Sequence, residues 1–283
     1  MDGIIVINKE KGYTSHDVVA KLKKKLNISK VGHTGTLDPN ATGVLPILIG
    51  KGTKFSKYLI NHDKIYEAQI ELGKKTDTAD IEGKIIEEKN VDTEYIKQNL
   101  TNVLEGFIGK QEQIPPMYSA IKKNGKKLYE YARKGEKVEV EPRKIEIYKI
   151  KLIEDKENNI KCIVSCSKGT YIRSLCEDIA EKLNTVGYMK NLKRLQVGEF
   201  NIDCAIKIDE VNIENYDKYL YTLEDILKES PKLNLSSKKL NLFLNGVQLT
   251  VQNENGLYKI YVDNKFIGTG TVKNNLLKRD IIL

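Results

Sequence analysis

Apolar residues in the first part of the chain occur in two patterns that predict strands. Residues 3–9 (GIIVINK) and 44–50 (VLPILIG) are short apolar runs, which are typical of buried strands. Residues 64–73 (KIYEAQIELG) alternate instead, with Tyr66 and Ala68 on one side together with the other even-numbered residues. This alternation predicts a strand with one buried face.

Apolar residues at helical spacing follow the first predicted strand and occur again later in the chain. Thr14 and Ser15 open a helix, and Asp17 completes a capping box behind Thr14. The apolar stripe of this helix lies opposite several lysines, which form either a solvated face or an edge that faces phosphates. The same spacing predicts further helices at 53–61, at 91–109 and near 223–228.

The second half of the chain mixes strands and helices without a regular β-α-β order. Pro115 and Pro116 predict a rigid turn, a strand begins at Lys144, and residues 158–183 predict a strand, a turn at Gly169 and a helix. Irregular alternation of this kind favours an α+β fold with a mixed or antiparallel sheet.

A break at Pro231 separates a small C-terminal segment from the rest. This segment predicts a short helix and two or three strands. We therefore expect a main domain at 1–230 and a small β-rich domain at 231–283. A unit of that size has little core of its own, so it is expected to lean on the larger domain.

Composition narrows the choice of partner and compartment. Lys and Arg outnumber Asp and Glu by 47 to 39, which gives a net charge of +8. This excess leaves room for a nucleic acid partner, although an AT-rich genome also raises lysine usage.

Neither a membrane span nor a signal peptide is predicted. The four cysteines form no C-x-x-C pair and only three histidines accompany them, which favours reduced thiols in the cytoplasm over a zinc site.

One irregular loop holds the candidate chemistry. Residues 32–43 (GHTGTLDPNATG) surround a single carboxylate, Asp38, with glycines and threonines. The sequence has no Walker loop and no G-x-S-x-G nucleophile, and the acidic residues of 77–83 (DTADIEG) are spaced for a hairpin turn rather than for calcium. Asp38 can therefore be a nucleophile or a general base, or simply the turn residue that precedes Pro39.

A catalytic Asp38 requires a cationic neighbour. Burial raises the pKa of a carboxyl group, whereas a nearby guanidinium lowers it and keeps the group ionised. Arg173 is the candidate, because it lies at the start of a predicted helix, where positive charge is disfavoured without a specific partner. We therefore expect Asp38 and Arg173 to share a cavity.

Long motifs in the sequence resemble those of the TruB family of tRNA pseudouridine synthases. They are KGYTSHDVV, GHTGTLDPNATGVLPILIG, YEAQIELGKKTDTADIEG, PPMYSAIKKNGKKLYEYARKGE, CSKGTYIRSLCEDIAEKL and LKRLQVGEF, in the family's order. The tail is similar, more loosely, to the small PUA-like RNA-binding domain of bacterial members. One departure is Glu10, where many relatives carry proline, and it affects only the geometry of the local turn.

The resemblance implies a role for each matching residue. Asp38 matches the catalytic aspartate, Tyr66 a tyrosine that packs on the target base and helps proton transfer, and Arg173 the arginine paired with the aspartate. Substrate-binding roles are implied for His33, which occupies the place of the flipped base, for Leu192, which lines the pocket, and for Gly32, Thr34 and Tyr171. An insertion at about 122–143, with Lys122 and Lys126, is implied to clamp the RNA.

The implied reaction isomerises uridine 55 in the TΨC loop of tRNA to pseudouridine, without a cofactor or a metal. The implied fold is a mixed, largely antiparallel sheet of the pseudouridine synthase type with a PUA-like tail. We expect a cytoplasmic monomer that binds the T-arm stem-loop, needs no obligatory protein partner and does not bind membranes. Two alternatives stay open, namely a non-catalytic tRNA-binding or RNA-folding factor that uses the same cleft, and a guide-RNA-dependent relative that needs partner proteins.

Overall fold

The computed structural model describes residues 2–136 and 138–283. Its six helices are α1 (Ser15–Lys25), α2 (Ser56–Leu59), α3 (Thr93–Gly106), α4 (Leu128–Ala132), α5 (Ile172–Lys182) and α6 (Ser237–Leu244). Its strands are β1 (Gly3–Lys9), β2 (Val31–His33), β3 (Thr42–Ile49), β4 (Lys64–Leu72), β5 (Lys74–Thr76), β6 (Ile85–Glu88), β7 (Gly109–Gln113), β8 (Lys122–Lys123), β9 (Lys126–Lys127), β10 (Arg143–Lys156), β11 (Asn159–Cys166), β12 (Gly187–Val197), β13 (Phe200–Asn201), β14 (Leu220–Tyr221), β15 (Lys232–Asn234), β16 (Leu249–Thr250), β17 (Gly256–Val262), β18 (Lys265–Lys273) and β19 (Leu276–Ile282).

Ten of these strands form one large sheet. The order is β14-β1-β3-β12-β4-β11-β10-β7, with β2 paired to β3 and β13 paired to β12. Its pairings are antiparallel except between β3 and β12, which run parallel over Thr42–Lys193 and Gly43–Arg194. The predicted α+β fold with a mixed, largely antiparallel sheet is confirmed.

The two faces of this sheet differ in what covers them. Helices α1, α3 and α5 pack on one face and bury an apolar core that contains Leu22, Leu100 and Ile179. The other face of β4, β11 and β12 is open and polar, with Lys161 paired to Glu67 at 3.0 Å and similar pairs alongside. The alternation predicted for β4 therefore separates a helix-covered face from a solvated one.

Most predicted elements occur close to their predicted bounds. The capping box of α1 is present, because the side chain of Thr14 accepts from the Asp17 amide and that of Asp17 accepts from the Thr14 amide. At least one lysine of α1 makes a contact within the fold, since Lys21 lies 2.8 Å from the carboxylate of Asp209. The predicted hairpin turn at 77–83 joins β5 to β6, and Gly169 has a left-handed φ of +82°.

Two predictions at the level of elements were wrong, and one strand was missed. The helix predicted near 223–228 is only a 3-10 turn at Asp225–Leu227, too short to bury a stripe. The segment after Pro231 contains five strands rather than two or three, because β15 and β16 are very short. Strand β12 was missed, although it lies in the middle of the large sheet.

The C-terminal strands form a second sheet with its own small core. The order is β15-β17-β18-β19-β16, and α6 contributes Phe243 to a cluster with Ile260 and Leu277. This unit leans on the larger one as expected, because Ile281 packs against Phe55 and Asp280 accepts hydrogen bonds from the region of α2. Among the described residues, no helix has both the length and the apolarity needed to cross a membrane.

Candidate active site

The loop between β2 and β3 carries Asp38, and Ser15 at the start of α1 fixes this loop. The Ser15 hydroxyl accepts from the Leu37 amide at 2.9 Å and donates to the Leu37 carbonyl at 3.2 Å. The Ala41 amide donates to the Asp38 carbonyl at 3.0 Å and closes a tight turn. The start of α1 therefore sets the position of the carboxylate.

A buried lysine that the sequence analysis missed supports the same loop. Lys9 is fully buried, and its ammonium donates to the carbonyls of Tyr13 at 2.6 Å, Glu10 at 3.1 Å and Pro39 at 3.2 Å. Burial lowers the pKa of Lys9 to about 8. The turn that carries Glu10 is thus tied directly to the loop of Asp38, through backbone atoms that any residue at position 10 supplies.

Asp38 forms an ion pair with Arg173 across the site. Arg173 Nε lies 3.2 Å from Asp38 Oδ2, and the exposed fraction is 39% for the aspartate side chain and 7% for the arginine side chain. The guanidinium also donates to the carbonyls of Tyr118 at 2.8 Å and Thr78 at 3.3 Å. Arg173 is therefore locked in place, while the carboxylate beside it is open to a ligand.

A second carboxylate that was not singled out from the sequence reaches the same arginine. Asp80 Oδ2 lies 3.7 Å from Arg173 Nη1, and Thr78 and Glu82 donate to its other oxygen. The acidic residues of 77–83 were interpreted as part of a hairpin turn, so this link was missed. The sequence did contain an indication of this link, because these acidic residues follow shortly after β4, which carries the candidate residue Tyr66.

The charge on Asp38 is set by opposing effects. Burial raises the pKa of Asp38 and outweighs the lowering by Arg173, and the negative charge of Asp80 adds to the rise. The guanidinium was expected to keep the pKa of this carboxyl down, but in the structure its effect is smaller than that of burial. The carboxylate is consequently a stronger base than a solvated aspartate.

Tyr66 lies on the helix-covered face of β4, at the bottom of the site. Only 9% of its surface is exposed, and its cross-strand neighbour on β12 is Arg194. Burial raises the pKa of the Tyr66 phenol, and the positive charge of Arg194 opposes that rise. The negative charge of Asp38 also contributes to the raised pKa of Tyr66, which links the strand tyrosine electrostatically to the Asp38–Arg173 pair.

The residues that precede Asp38 sit on β2 and just after it. Gly32 pairs with Leu48 of β3, and the ring of His33 makes an edge contact of 5.4 Å with His16. Burial lowers the pKa of His33, which leaves the imidazole neutral at pH 7. The buried atoms His33 Nδ1 and Thr34 Oγ1 have no hydrogen-bond partner among the described residues.

The other predicted pocket residues lie on two sides of this centre. Leu192 is half-buried against the main core and borders a cavity of about 280 Å³ together with Lys11 and Asn40. Tyr171 precedes α5 and exchanges two hydrogen bonds with Gln113, at 2.8 Å from its amide and 3.0 Å to its carbonyl.

The predicted clamp forms a short hairpin and a helix. Lys122 and Lys126 are exposed on β8 and β9, and Lys126 lies 6.0 Å above the ring of Tyr131. Of the predicted insertion at 122–143, Lys137 lies outside the described residues. The clamp carries several cations and tyrosines but makes no contact with Asp38 among the described residues, so a role in binding RNA stays a prediction.

Comparison with known proteins identifies the family. Residues 23–172 match the domain described as "TruB family pseudouridylate synthase (N terminal domain)". The chain belongs to the TruB family. Residues 173–231 match the "tRNA pseudouridylate synthase B C-terminal domain". Membership of the TruB family makes the chain a pseudouridine synthase, which is an isomerase, and confirms the resemblance found in the sequence.

Curated relatives match nearly the whole chain. A tRNA pseudouridine synthase B of Clostridium kluyveri is 44% identical over 97% of this chain and 96% of its own length. One of Aquifex aeolicus is 40% identical over 98% of both chains. Both alignments therefore span nearly the full length of this chain and of the relative.

Solved structures share the fold. A crystal structure of a Cbf5–Nop10–Gar1 complex matches with a TM-score of 0.71 at 23% identity, over 99% of this chain and 84% of that chain. An H/ACA RNP bound to a substrate RNA containing 2'-deoxyuridine matches with a TM-score of 0.69 at 23% identity, over 99% and 84%. At this identity the likeness supports the architecture of the TruB chain and nothing about its partners.

Proposed function

We propose that this pseudouridine synthase acts on tRNA and isomerises uridine 55 of the TΨC loop. The proposal for tRNA rests on the names of the curated relatives, tRNA pseudouridine synthase B. The observation that carries the mechanism is the ion pair of 3.2 Å between Asp38 and Arg173 beside the buried Tyr66. It supports an acid–base or nucleophilic centre built for an uncharged ring rather than for a metal.

The target base must leave its stack before it can react. The glycosidic bond of a stacked uridine is out of reach, and extruding the base costs a few kcal/mol. In our proposal the neutral ring of His33 takes the vacated place in the stack, and Tyr66 packs on the extruded uracil. Thr34 and Leu192 line the pocket, with Gly32 and Tyr171 at its border.

The chemical step in this proposal uses Asp38 as the group that breaks the bond between base and sugar. The carboxylate either attacks the substrate directly or assists cleavage through a glycal, and the base then turns and rejoins the sugar through C5. A base must finally remove the proton from C5, and Tyr66 is the neighbouring group that can help to move it. Arg173 holds Asp38 in position and balances its charge.

Binding in this proposal uses the basic surface around the pocket. Lys122 and Lys126 of the clamp contact the phosphates of the T-arm stem-loop, and residues 231–283 act as a PUA-like RNA-binding domain next to the catalytic domain at 1–230. The chain works in the cytoplasm as a monomer without an obligatory protein partner.

The test replaces Asp38 with Asn and measures tritium release from 5-tritiated uridine in tRNA. We expect release to fall below detection, while affinity for tRNA stays within a few fold of that of the unchanged protein. A folding factor that uses the same cleft predicts the opposite, because tRNA refolding would persist and the unchanged protein would form no pseudouridine.

A second measurement addresses the substrate and the need for partners. The purified chain is incubated with an isolated T-arm hairpin, and pseudouridine is mapped in the product. We expect modification at the position equivalent to 55. Modification that appears only after other proteins or a guide RNA are added would favour the guide-dependent alternative.

A further inference from the structure

Arg194 is the largest fully buried side chain in the described part of the chain, with 1% of its surface exposed. No carboxylate of the described residues forms an ion pair with it. An isolated buried cation is strongly unfavourable unless fixed dipoles compensate for its lost hydration. The dipoles that compensate for the buried charge of Arg194 in this structure therefore indicate the role of its side chain.

The hydrogen bonds of Arg194 go to the two ends of the catalytic loop. Its Nε donates to the carbonyl of Val44 at 2.8 Å, and its Nη2 donates to the carbonyl of Gly35 at 3.2 Å. These two carbonyls flank the segment that contains Asp38. One rigid guanidinium therefore spans the segment, which a single ammonium group cannot do in the same geometry.

The same guanidinium also reaches Tyr66. Arg194 and Tyr66 are direct partners in the antiparallel pairing of β12 with β4. Cross-strand partners carry their side chains on the same face of a sheet, so the guanidinium lies next to the phenol. The positive charge of Arg194 opposes the rise in the pKa of Tyr66 that burial causes.

We propose that Arg194 is a positioning residue that holds the two ends of the Asp38 loop next to Tyr66. This inference rests on the proposed function, because it gives a task to the residues that we assign to catalysis. The proposed role of Arg194 differs from that of Arg173. Arg194 has no hydrogen bond or ion pair with the Asp38 carboxylate among the described residues, and it supports the loop from the side of β12.

Backbone packing around Arg194 supports this assignment. Gly43 has a φ of +103°, and a Cβ there would lie 2.2 Å from the Arg194 carbonyl oxygen. The loop end and β12 are therefore in direct backbone contact. This close contact places the start of the guanidinium side chain immediately behind the loop.

The experiment compares Arg194→Lys, Arg194→Met and the matched control Lys190→Met, which removes a cation of β12 from the open face. We measure single-turnover pseudouridine formation, tRNA affinity and melting temperature. We expect both Arg194 variants to lose at least thirtyfold in rate, with tRNA affinity within threefold, and the control to match the unchanged protein. If Arg194→Met does not fold, Arg194→Lys, which keeps the buried charge, carries the test.

A second readout separates positioning from mere stability. In a Tyr66→Phe background, the loss caused by Arg194→Lys should shrink by at least fivefold, because Arg194 holds the Asp38 loop next to a hydroxyl that is then absent. The ζ-carbon NMR resonance of Tyr66, assigned by its absence in Tyr66→Phe, should also move in folded Arg194→Lys. Rates equal to those of the unchanged protein, or an unmoved resonance, would overturn the inference.

These outcomes are distinguishable from a failure of the proposed function. If the unchanged protein forms no pseudouridine in tRNA, the proposed function fails, while the NMR resonance still reports whether Arg194 sets the surroundings of the Tyr66 phenol. If the unchanged protein is active and the Arg194→Lys variant is equally active, only the inference fails.

Discussion

Asp38 illustrates how the environment of one residue sets its chemistry. Its carboxylate is partly open, but it stands beside a buried cation and a second carboxylate, Asp80. Burial raises its pKa above the ordinary value of 3.8 in spite of Arg173. A raised pKa makes the ionised form less favourable in the folded protein, and that form is the one required for reaction.

This shift predicts the pH dependence of the reaction. The single-turnover rate should decline as the pH falls through the raised pKa of Asp38, because protonation removes the reactive carboxylate. The decline should therefore begin at a higher pH than for a solvated aspartate. The measurement is a pH–rate profile with enzyme in excess and constant ionic strength. A rate that stays level down to pH 4 would contradict the assignment of Asp38.

Sequence reasoning found some site residues and missed others for a physical reason. Asp38 and Arg173 stood out because each conflicts with its local setting, one in a glycine-rich loop and one at the wrong end of a helix. Lys9 and Arg194 lie among other basic residues and look like solvated charges. Only the three-dimensional structure reveals that both side chains are buried and bound to backbone carbonyls.

At the scale of elements, β12 is the informative case. Its sequence, GYMKNLKRLQV, lacks a clean alternation because one face meets the polar, open side of the sheet and the other holds Arg194. Strands β1, β3 and β4 were predictable because at least one of their faces is continuously apolar. Hydrophobic patterns therefore located the sheet but not its central strand.

The parallel contact between β3 and β12 yields a prediction about stability. Gly43→Ala should lower the free energy of unfolding by at least about 2 kcal/mol, because the residue has a left-handed φ and its Cβ would meet the Arg194 backbone. Chemical denaturation provides the measurement. The matched control is Gly106→Ala at the end of α3, where no atom lies within 4 Å of a built Cβ. It should change the stability by less than about 1 kcal/mol.

At the scale of the whole molecule, the excess positive charge lies in two segments: residues 122–143 have 8 basic and 4 acidic residues, and residues 231–283 have 8 basic and 3 acidic residues. The rest of the chain is close to neutral, with 31 basic and 32 acidic residues. The sequence predicted the α+β class, since this class depends on the order of strand and helix patterns along the chain. It could not predict the short edge strands β15 and β16, which exist only because neighbouring strands provide partners.

The basic surface predicts a steep dependence of tRNA binding on salt. Each phosphate contact releases counterions, so the logarithm of the binding constant should fall linearly with the logarithm of salt concentration. Removing one contact with Lys126→Gln should reduce that slope by about 1. Lys190→Gln, on the open face and paired with Glu71 at 2.8 Å, should leave it unchanged. A flat response between low and physiological salt would exclude this surface as the RNA site.

The central place of β12 has a consequence for how the protein is made. Strands β3 and β4 emerge from the ribosome early, yet they do not pair with each other, because the strand that separates them is encoded more than a hundred residues later. The part of the sheet from β3 through β12 to β4 cannot form until residue 197 has been translated. A nascent chain therefore holds the future catalytic loop and Tyr66 apart during most of its synthesis, and the site becomes complete only when translation is well advanced.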